Sequence, residues 1–248
     1  MLKAVEKNNE NFIKFCERDV FGTRISCLYS CYSTDYDFVK FWVQIDENGK
    51  IISAISRVDG DATLCTKGTN TEELCDFLNI VGFRTLQCEK KTAKKLGMKP
   101  SIDGYVVQYV GNYSNTAEIN CDSIFRPKEI YDIIKSAKLV GVGDYLPWLS
   151  DTTFRMNRGK TTCLTASIDN ETVACAMKLF VTDTAVLLGA VATKPNFRGR
   201  GLAGALVTSL AKSEPNKRVE LLCKNDSIVN FYKSIGFQIT DEWSIINE

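Results

Sequence analysis

The chain has 248 residues, of which 44% are hydrophobic, with 31 Lys plus Arg against 30 Asp plus Glu and no histidine. That length supports one large domain or two ordinary ones with proper cores, and a net charge of +1 removes the global field that would gather nucleic acid or an acidic membrane. The 10 cysteines include no Cys-x-x-Cys pair, so no metal site is expected, and they read as small apolar core residues in a reducing compartment.

Taken in chain order, Met1–Glu10 is polar and lacks the apolar region of a signal peptide. No apolar run reaches the ~18 residues of a membrane span, so the expectation is a soluble, cytoplasmic protein with neither membrane nor nucleic-acid partners. The first strong pattern is FWVQIDENGKIISAISRV, starting at Phe41: strand, Asp-containing turn, strand. From Arg84, RTLQCEKKTAKKLGMKPSIDGYVVQYV reads as strand, short helix, Leu-Gly turn and strand. Lys90, Lys91, Lys94 and Lys95 form a solvated helix face, with phosphate contact as the alternative. The polar stretch Gly111–Thr116 reads as a linker, which divides the chain into 1–115 and 116–248.

After the linker, helices are predicted at Pro127–Lys138 and Leu146–Arg158, then strands at Thr161–Ile168, Thr172–Phe180 and Ala185–Thr193. A helix over Gly199–Ser213, a strand over Arg218–Cys223, a helix over Ser227–Ile235 and a strand over Phe237–Ile246 complete a mixed α/β sheet flanked by helices. Both N-terminal patterns recur here, as CLTASIDNETVACAMKLF from Cys163 and RVELLCKNDSIVNFYKSIGFQITDEWSII from Arg218, so the halves read as relatives. The interval between the hairpin and the Leu/Ile-Gly turn is shorter in the first half, which is expected to have lost a Gly-rich loop and a long helix.

That loop carries the chemistry. The run Val191-Ala-Thr-Lys-Pro-Asn-Phe-Arg-Gly-Arg-Gly-Leu-Ala-Gly204 follows a strand and opens a helix with an apolar face of Leu202, Leu206, Val207 and Leu210. Glycines at 199, 201 and 204 let successive N–H groups turn one way, which makes an anion nest. The helix N-terminus adds partial positive charge, and Arg198 and Arg200 add two full charges beside Gly199. A diphosphate fits this chemistry.

The sequence here resembles the GNAT superfamily of N-acetyltransferases, whose signature Arg/Gln-x-x-Gly-x-Gly/Ala is matched by Arg198, Gly201 and Ala203. The resemblance covers about Pro127 to Ile246 and implies a GNAT-like mixed, mostly antiparallel sheet flanked by helices, in two tandem copies. It implies acetyl-CoA, or another acyl-CoA, as co-substrate. The diphosphate would lie on Arg198, Gly199, Arg200, Gly201, Leu202, Ala203 and Gly204, and the pantetheine arm along the backbone of Val191, Ala192 and Thr193. In NDSIVNFYKSIGF the resemblance gives Asn225 a pantetheine contact and Tyr232 the role of proton donor to the departing thiolate. By residue type alone Asn225 also reads as a helix N-cap and Tyr232 as a core aromatic. No Arg-x-x-Gly-x-Gly/Ala occurs before residue 117, so the first half is a degenerate copy that lacks the acyl-CoA loop.

The implied reaction is direct attack of a primary amine, on a small molecule or peptide, upon the thioester. Many relatives carry a base on the central strands, but Ala185–Ala192 contains no acid. Glu220, Asp144 and Asp151 are the candidates, beside a water relay or an amine that arrives neutral. Tyr145, Trp148, Phe154 and Met156 read as core or as acceptor pocket. A non-catalytic acyl-CoA-binding or partner-docking module is the alternative of a different class. The letters Gly199-x-Gly201-x-x-Gly204 also spell a Rossmann fingerprint for an NAD(P) oxidoreductase. Against that, Lys194–Arg198 separate strand from glycines, and too few residues follow Gly204 for further βαβ units.

Overall fold

Each half is built on a three-stranded antiparallel meander whose turns use residues that tolerate positive φ. In the first half β2 (Val39–Ile45), β3 (Ile51–Val58) and β4 (Asp61–Thr66) are joined, between the last two, by Asp59 and Gly60 at φ 47° and 92°. In the second half β8 (Thr162–Ile168), β9 (Glu171–Val181) and β10 (Ala185–Thr193) follow the same plan, with Asp169 and Asn170 at φ 51° and 63° linking paired Ile168 and Glu171. Two-residue turns with both φ positive match the right-handed strand twist, and Asp, Asn and Gly reach them at least cost.

The computed structural model describes all residues except 69, 112–118, 140 and 248. One element order runs through it twice. The first copy is β1 (Leu2–Ala4), α1 (Glu10–Cys16), α2 (Val20–Tyr32), the meander, α3 (Thr71–Val81), β5 (Thr85–Glu89), α4 (Lys90–Lys95) and β6 (Ile102–Tyr109). The second is β7 (Cys121–Asp122), α5 (Pro127–Ser136), α6 (Tyr145–Met156), the meander, α7 (Leu202–Lys212), β11 (Arg218–Cys223), α8 (Asp226–Ser234) and β12 (Phe237–Asn247).

This repeat corrects one expectation: the first half keeps the helix thought lost. α3 follows β4 and leads into β5, which lies parallel to β4 with Asp61 against Thr85. The shortened piece is the connection, residues 67–70 against 194–201 in the second half. The start of α3 also has the wrong charge for an anion, because Glu72 and Glu73 occupy its first turn and complement the helix dipole themselves. Glu73 is further held by the N-terminal amine at 3.0 Å and by Gln44 Nε2 at 2.8 Å.

Contacts divide the chain into two units, residues 1–107 with 222–229 and 239–248, and residues 108–221 with 230–238. The cut at 115/116 and most of the linker Gly111–Thr116 lie outside the described residues. In the first unit the strands run β1-β2-β3-β4-β5-β12, with β12 antiparallel to β5 and Trp243 opposite Glu89. In the second they run β11-β10-β9-β8-β7, where β10 and β11 are parallel and the other pairs antiparallel. Helix α5 has Pro127 in its first turn and buries Ile130, Ile133 and Ile134 against Cys163, Cys175, Met177 and Ala192. Each such side chain contributes about 1.5–3 kcal/mol on burial, which anchors the helix over the meander. Helix α7 packs on the same three strands.

The cysteines are free thiols, eight of them buried and only Cys121 exposed. Of the lysines on α4, Lys90 binds Glu242 at 3.0 Å, and Lys91 binds Glu89 and lies 3.9 Å from Asp241.

Glu89 ends β5 with a side chain 16% exposed. Burial, helped by the neighbouring Asp241 and opposed by Lys91, pushes its carboxyl up to about 7. A carboxyl raised in the folded state contributes stability that is complete below its unfolded value and lost as pH climbs through the folded one. The first unit should therefore weaken between about pH 4 and 7, counting from the free Glu value. Glu89→Gln is expected to raise the melting temperature at pH 8, by about 2–4 °C per kcal/mol regained in a chain of this size, and to leave it unchanged at pH 4. Thermal melts across that range decide it; an equal shift at both pH values would mean that the carboxyl is not protonated in the fold.

Candidate functional site

Strand β10 changes character midway. Ala185–Leu188 are buried, whereas Gly189, Ala190 and Val191 are partly exposed. At this point the register against β9 slips: Gly189 faces Met177 but Ala192 faces Cys175, so no β9 residue opposes one of the intervening pair. Ala190 takes φ 49°, a left-handed conformation that costs an L-residue roughly 1–2 kcal/mol. This is a β-bulge, which re-aims backbone groups next to the break. Beyond it, Lys194 N–H donates to Val173 O at 2.9 Å. Backbone groups alternate sides along an antiparallel strand, so Val191 and Thr193 turn their N–H and C=O away from β9, toward the open edge. Ala192 faces β9 and is buried.

The bend that follows is open. A short 3₁₀ turn, Pro195–Phe197, leads to Gly199 and Gly201, both at φ 76°, and Gly201 is the left-handed N-cap of α7. A Cβ on either glycine would meet nothing within 4 Å, so what demands glycine there is the backbone conformation. Among the described residues, no protein acceptor takes the N–H groups of Gly199, Arg200, Gly201, Leu202, Ala203 or Gly204. The first four N–H groups of any helix lack an internal partner, and here the preceding loop adds more in the same place. Arg198 Nε donates to Thr193 O at 3.1 Å, which ties the bend to the end of β10. Arg200 lies 5.1 Å over the Phe197 ring and reaches Asn196 O at 3.4 Å. Each guanidinium keeps further N–H groups for an anion.

A cavity of about 500 Å³ lies beside the bend, lined by Lys194, Asn196, Phe197 and Arg200 but also by Asp132 and Glu171. Glu171 already pairs with Lys194 at 2.7 Å. Two carboxylates make it a poor place for phosphate, and the amide side of the bend is the better one.

Gly204 connects the bend to α8, because a Cβ there would stand 3.5 Å from Ile235 and 3.9 Å from Phe231. Tyr232 is 6% exposed and meets Phe231 and Phe237 edge-on at 5.0 and 5.6 Å. The residue thus has the packing of a core aromatic on a helix that touches the bend. Asn225 caps α8: its Oδ1 accepts from Ile228 N–H at 3.0 Å, and its amide group stays available among the described residues.

The three candidate bases fare differently. Asp151 is held by Arg155, with Nη2 at 2.6 Å and Nε at 3.1 Å. Glu220 is buried and paired with Arg218 Nε at 2.9 Å. Asp144 precedes α6 exposed and without a capping bond. Two of three are therefore ion-paired carboxylates. Tyr145, Trp148 and Met156 pack on the α5 core cluster, and Tyr131 hydroxyl fixes the preceding loop by donating to Gly143 O at 2.9 Å. Phe154 lies under the Arg158 guanidinium at 3.4 Å.

Among the described residues no cluster of three or more His, Cys, Asp or Glu could hold a metal, and no helix is long and apolar enough to cross a membrane. The antiparallel pairing of β9 with β10 also rules out the doubly wound parallel sheet of a Rossmann domain.

Twice-repeated element order, a bulged strand and a Gly-rich bend into a helix define a protein of the GNAT fold in tandem. Residues 159–239 match the family profile of the acetyltransferase (GNAT) domain, so the second half carries such a domain. No curated protein matches the chain in sequence. A GCN5-related N-acetyltransferase from Sphaerobacter thermophilus is 14% identical with a TM-score of 0.63, covering 100% of this chain and 95% of that one. An acetyltransferase of the GNAT family from Novosphingobium aromaticivorans, so described, is 15% identical at TM-score 0.60, with 94% and 98% covered. A tandem GNAT protein from the clavulanic acid biosynthesis pathway is 13% identical at TM-score 0.59, with 99% and 97% covered. Identities this low speak for the fold alone.

Sequence reading missed the bulge at Ala190 and the Cys175 thiol beside it. Nothing in the letters Gly-Ala-Val marks a positive φ; the one available signal was a cysteine amid the alanines of β9.

Proposed function

We propose that the chain is an N-acetyltransferase that moves an acetyl, or another acyl, group from acyl-CoA to a primary amine of a small molecule or peptide by direct attack. Residues 116–248 would be the catalytic part and 1–115 a degenerate copy without the acyl-CoA loop. The observation that carries this reading is the run of unengaged amides from Gly199 to Gly204, which follows the partly exposed, bulged part of β10 in the chain.

Acetyl-CoA brings an activated thioester. The amides of the bend, with Arg198 and Arg200, would bind its diphosphate. Val191 and Thr193 would pair with the pantetheine arm as an adjacent strand does, and Asn225 would donate its amide to the same arm. The backbone N–H groups at the bulge would polarise the thioester carbonyl, where preorganised donors act most strongly. Tyr232 would hand a proton to the departing thiolate. With Glu220 and Asp151 ion-paired, the acceptor's proton would go to Asp144 or to an ordered water, or the amine would arrive neutral and need no base before attack.

Calorimetry with acetyl-CoA and with NAD, followed by thiol release over a panel of amines and peptides, tests this. Acetyl-CoA is expected to bind and NAD to give no heat. Binding without turnover on a broad panel would favour an acyl-CoA-binding module, and absence of acetyl-CoA binding would end the proposal.

A further inference from the structure

Cys175 lies in mid-β9, opposite Ala192, and is wholly buried. Its thiol donates to Ala190 O at 3.3 Å. The bulge puts Ala190 outside the regular ladder, so its carbonyl needs an acceptor's partner from elsewhere. A thiol can donate a hydrogen bond, and this one reaches the carbonyl at the break. The surroundings are Ile130, Ile134, Cys163 and Met177, where valine would satisfy burial equally well. What valine lacks is the donor to Ala190 O. Burial pushes the Cys175 thiol up to about 12, so it keeps its proton, and its capacity to donate, at any working pH.

We propose that Cys175 is a positioning residue of the acyl-transfer site: its thiol holds the Ala190–Val191 bulge in the shape that presents backbone N–H groups to the thioester carbonyl. The inference rests on the acyl-CoA reading above and adds to it the group that keeps a strained left-handed alanine in place. Cys175 itself touches neither substrate nor reacting atoms.

The test uses the full chain with acetyl-CoA labelled with carbon-13 at the carbonyl, and CoA as the ligand without an acyl group. Infrared difference spectra of bound acetyl-CoA report how strongly the carbonyl is hydrogen-bonded, and need no acceptor amine. In the wild type the carbonyl band should move to lower frequency than in free acetyl-CoA. Cys175→Val should return it most of the way toward the free position, while CoA affinity changes by less than about threefold, because the bend that holds the diphosphate is untouched. Cys175→Ser, which can still donate, should keep a shifted band. Circular dichroism melts establish that each variant is folded; if valine is not accommodated, Cys175→Ala replaces it with the same expectation. A wild-type band position in the folded valine or alanine variant would overturn the proposal. So would an unshifted band in the wild type when CoA still binds. If CoA does not bind the wild type at all, the acyl-CoA reading falls and takes this inference with it.

Discussion

Removing both guanidinium groups, in Arg198→Ala with Arg200→Ala, is expected to weaken CoA binding about 100-fold, since a hydrogen bond to a charged group contributes roughly 1.5–3 kcal/mol and each 1.4 kcal/mol is tenfold. Both side chains are exposed, so the estimate sits at the low end of that range, and the loss should shrink as salt screens the wild-type attraction. The two are not equivalent. Arg198 also ties the bend to Thr193 O, so its loss should cost more than that of Arg200, whose ring contact with Phe197 is local. Calorimetry on the singles and the double, at low and moderate salt, measures this. An affinity for CoA unchanged in the double variant would remove Arg198 and Arg200 from the diphosphate site, since amides alone would then suffice or the ligand would bind elsewhere.

The contrast between the halves shows what such a site requires. Both copies have a meander, a connection and a helix before a parallel strand. In the first copy the connection is residues 67–70 and the helix opens on Glu72 and Glu73. In the second, residues 194–201 give length for a left-handed turn, and no acid stands in the first turn of α7. Four residues leave no room for a loop of amides, and two carboxylates at a helix start repel what the dipole would attract. On the proposed reading, the difference between a phosphate cradle and an ordinary turn is thus a few residues and two charges.

Much of this was legible in the letters. Strands β8 to β11 and helices α5 to α8 fall within a few residues of their predicted bounds, because the apolar periods are clean and Pro127 and Gly201 punctuate them. The bend was legible as a bend because Gly199 and Gly201, both at φ 76°, are residues that reach that conformation at least cost. α3 escaped notice because matching the two repeats placed the length difference on the whole element instead of on the connection, although its apolar positions, with Leu74 and Leu78 buried, are plain in the letters. The pairing of β12 with β5 has no local signal at all, because partner choice between strands of like pattern is decided by tertiary contacts. The fates of Glu220 and Asp151 were hidden for a related reason: Arg218 two residues away and Arg155 four residues away are visible, but whether they bond is a matter of side-chain direction.

For Tyr232, phenylalanine is the informative substitution. The ring packs on Phe231 and Phe237 at 5.0 and 5.6 Å, so alanine would open a cavity costing about 3–5 kcal/mol and would confuse stability with chemistry. Phenylalanine keeps those contacts and removes only the hydroxyl. If the hydroxyl gives the thiolate its proton, Tyr232→Phe should lower kcat about 10²-fold, the lower part of the range for a positioned acid, while CoA affinity stays within about threefold of the wild type. An acid acting on the leaving group also predicts a pattern that packing cannot imitate. An acetyl thioester whose thiol is more acidic than that of CoA leaves without help, so the defect should shrink with it. The measurement is kcat for wild type and variant, with an amine the wild type accepts and with both thioesters. A variant with full activity would make Tyr232 a core aromatic and nothing more, and a defect equal for both thioesters would move the hydroxyl out of the proton-transfer step.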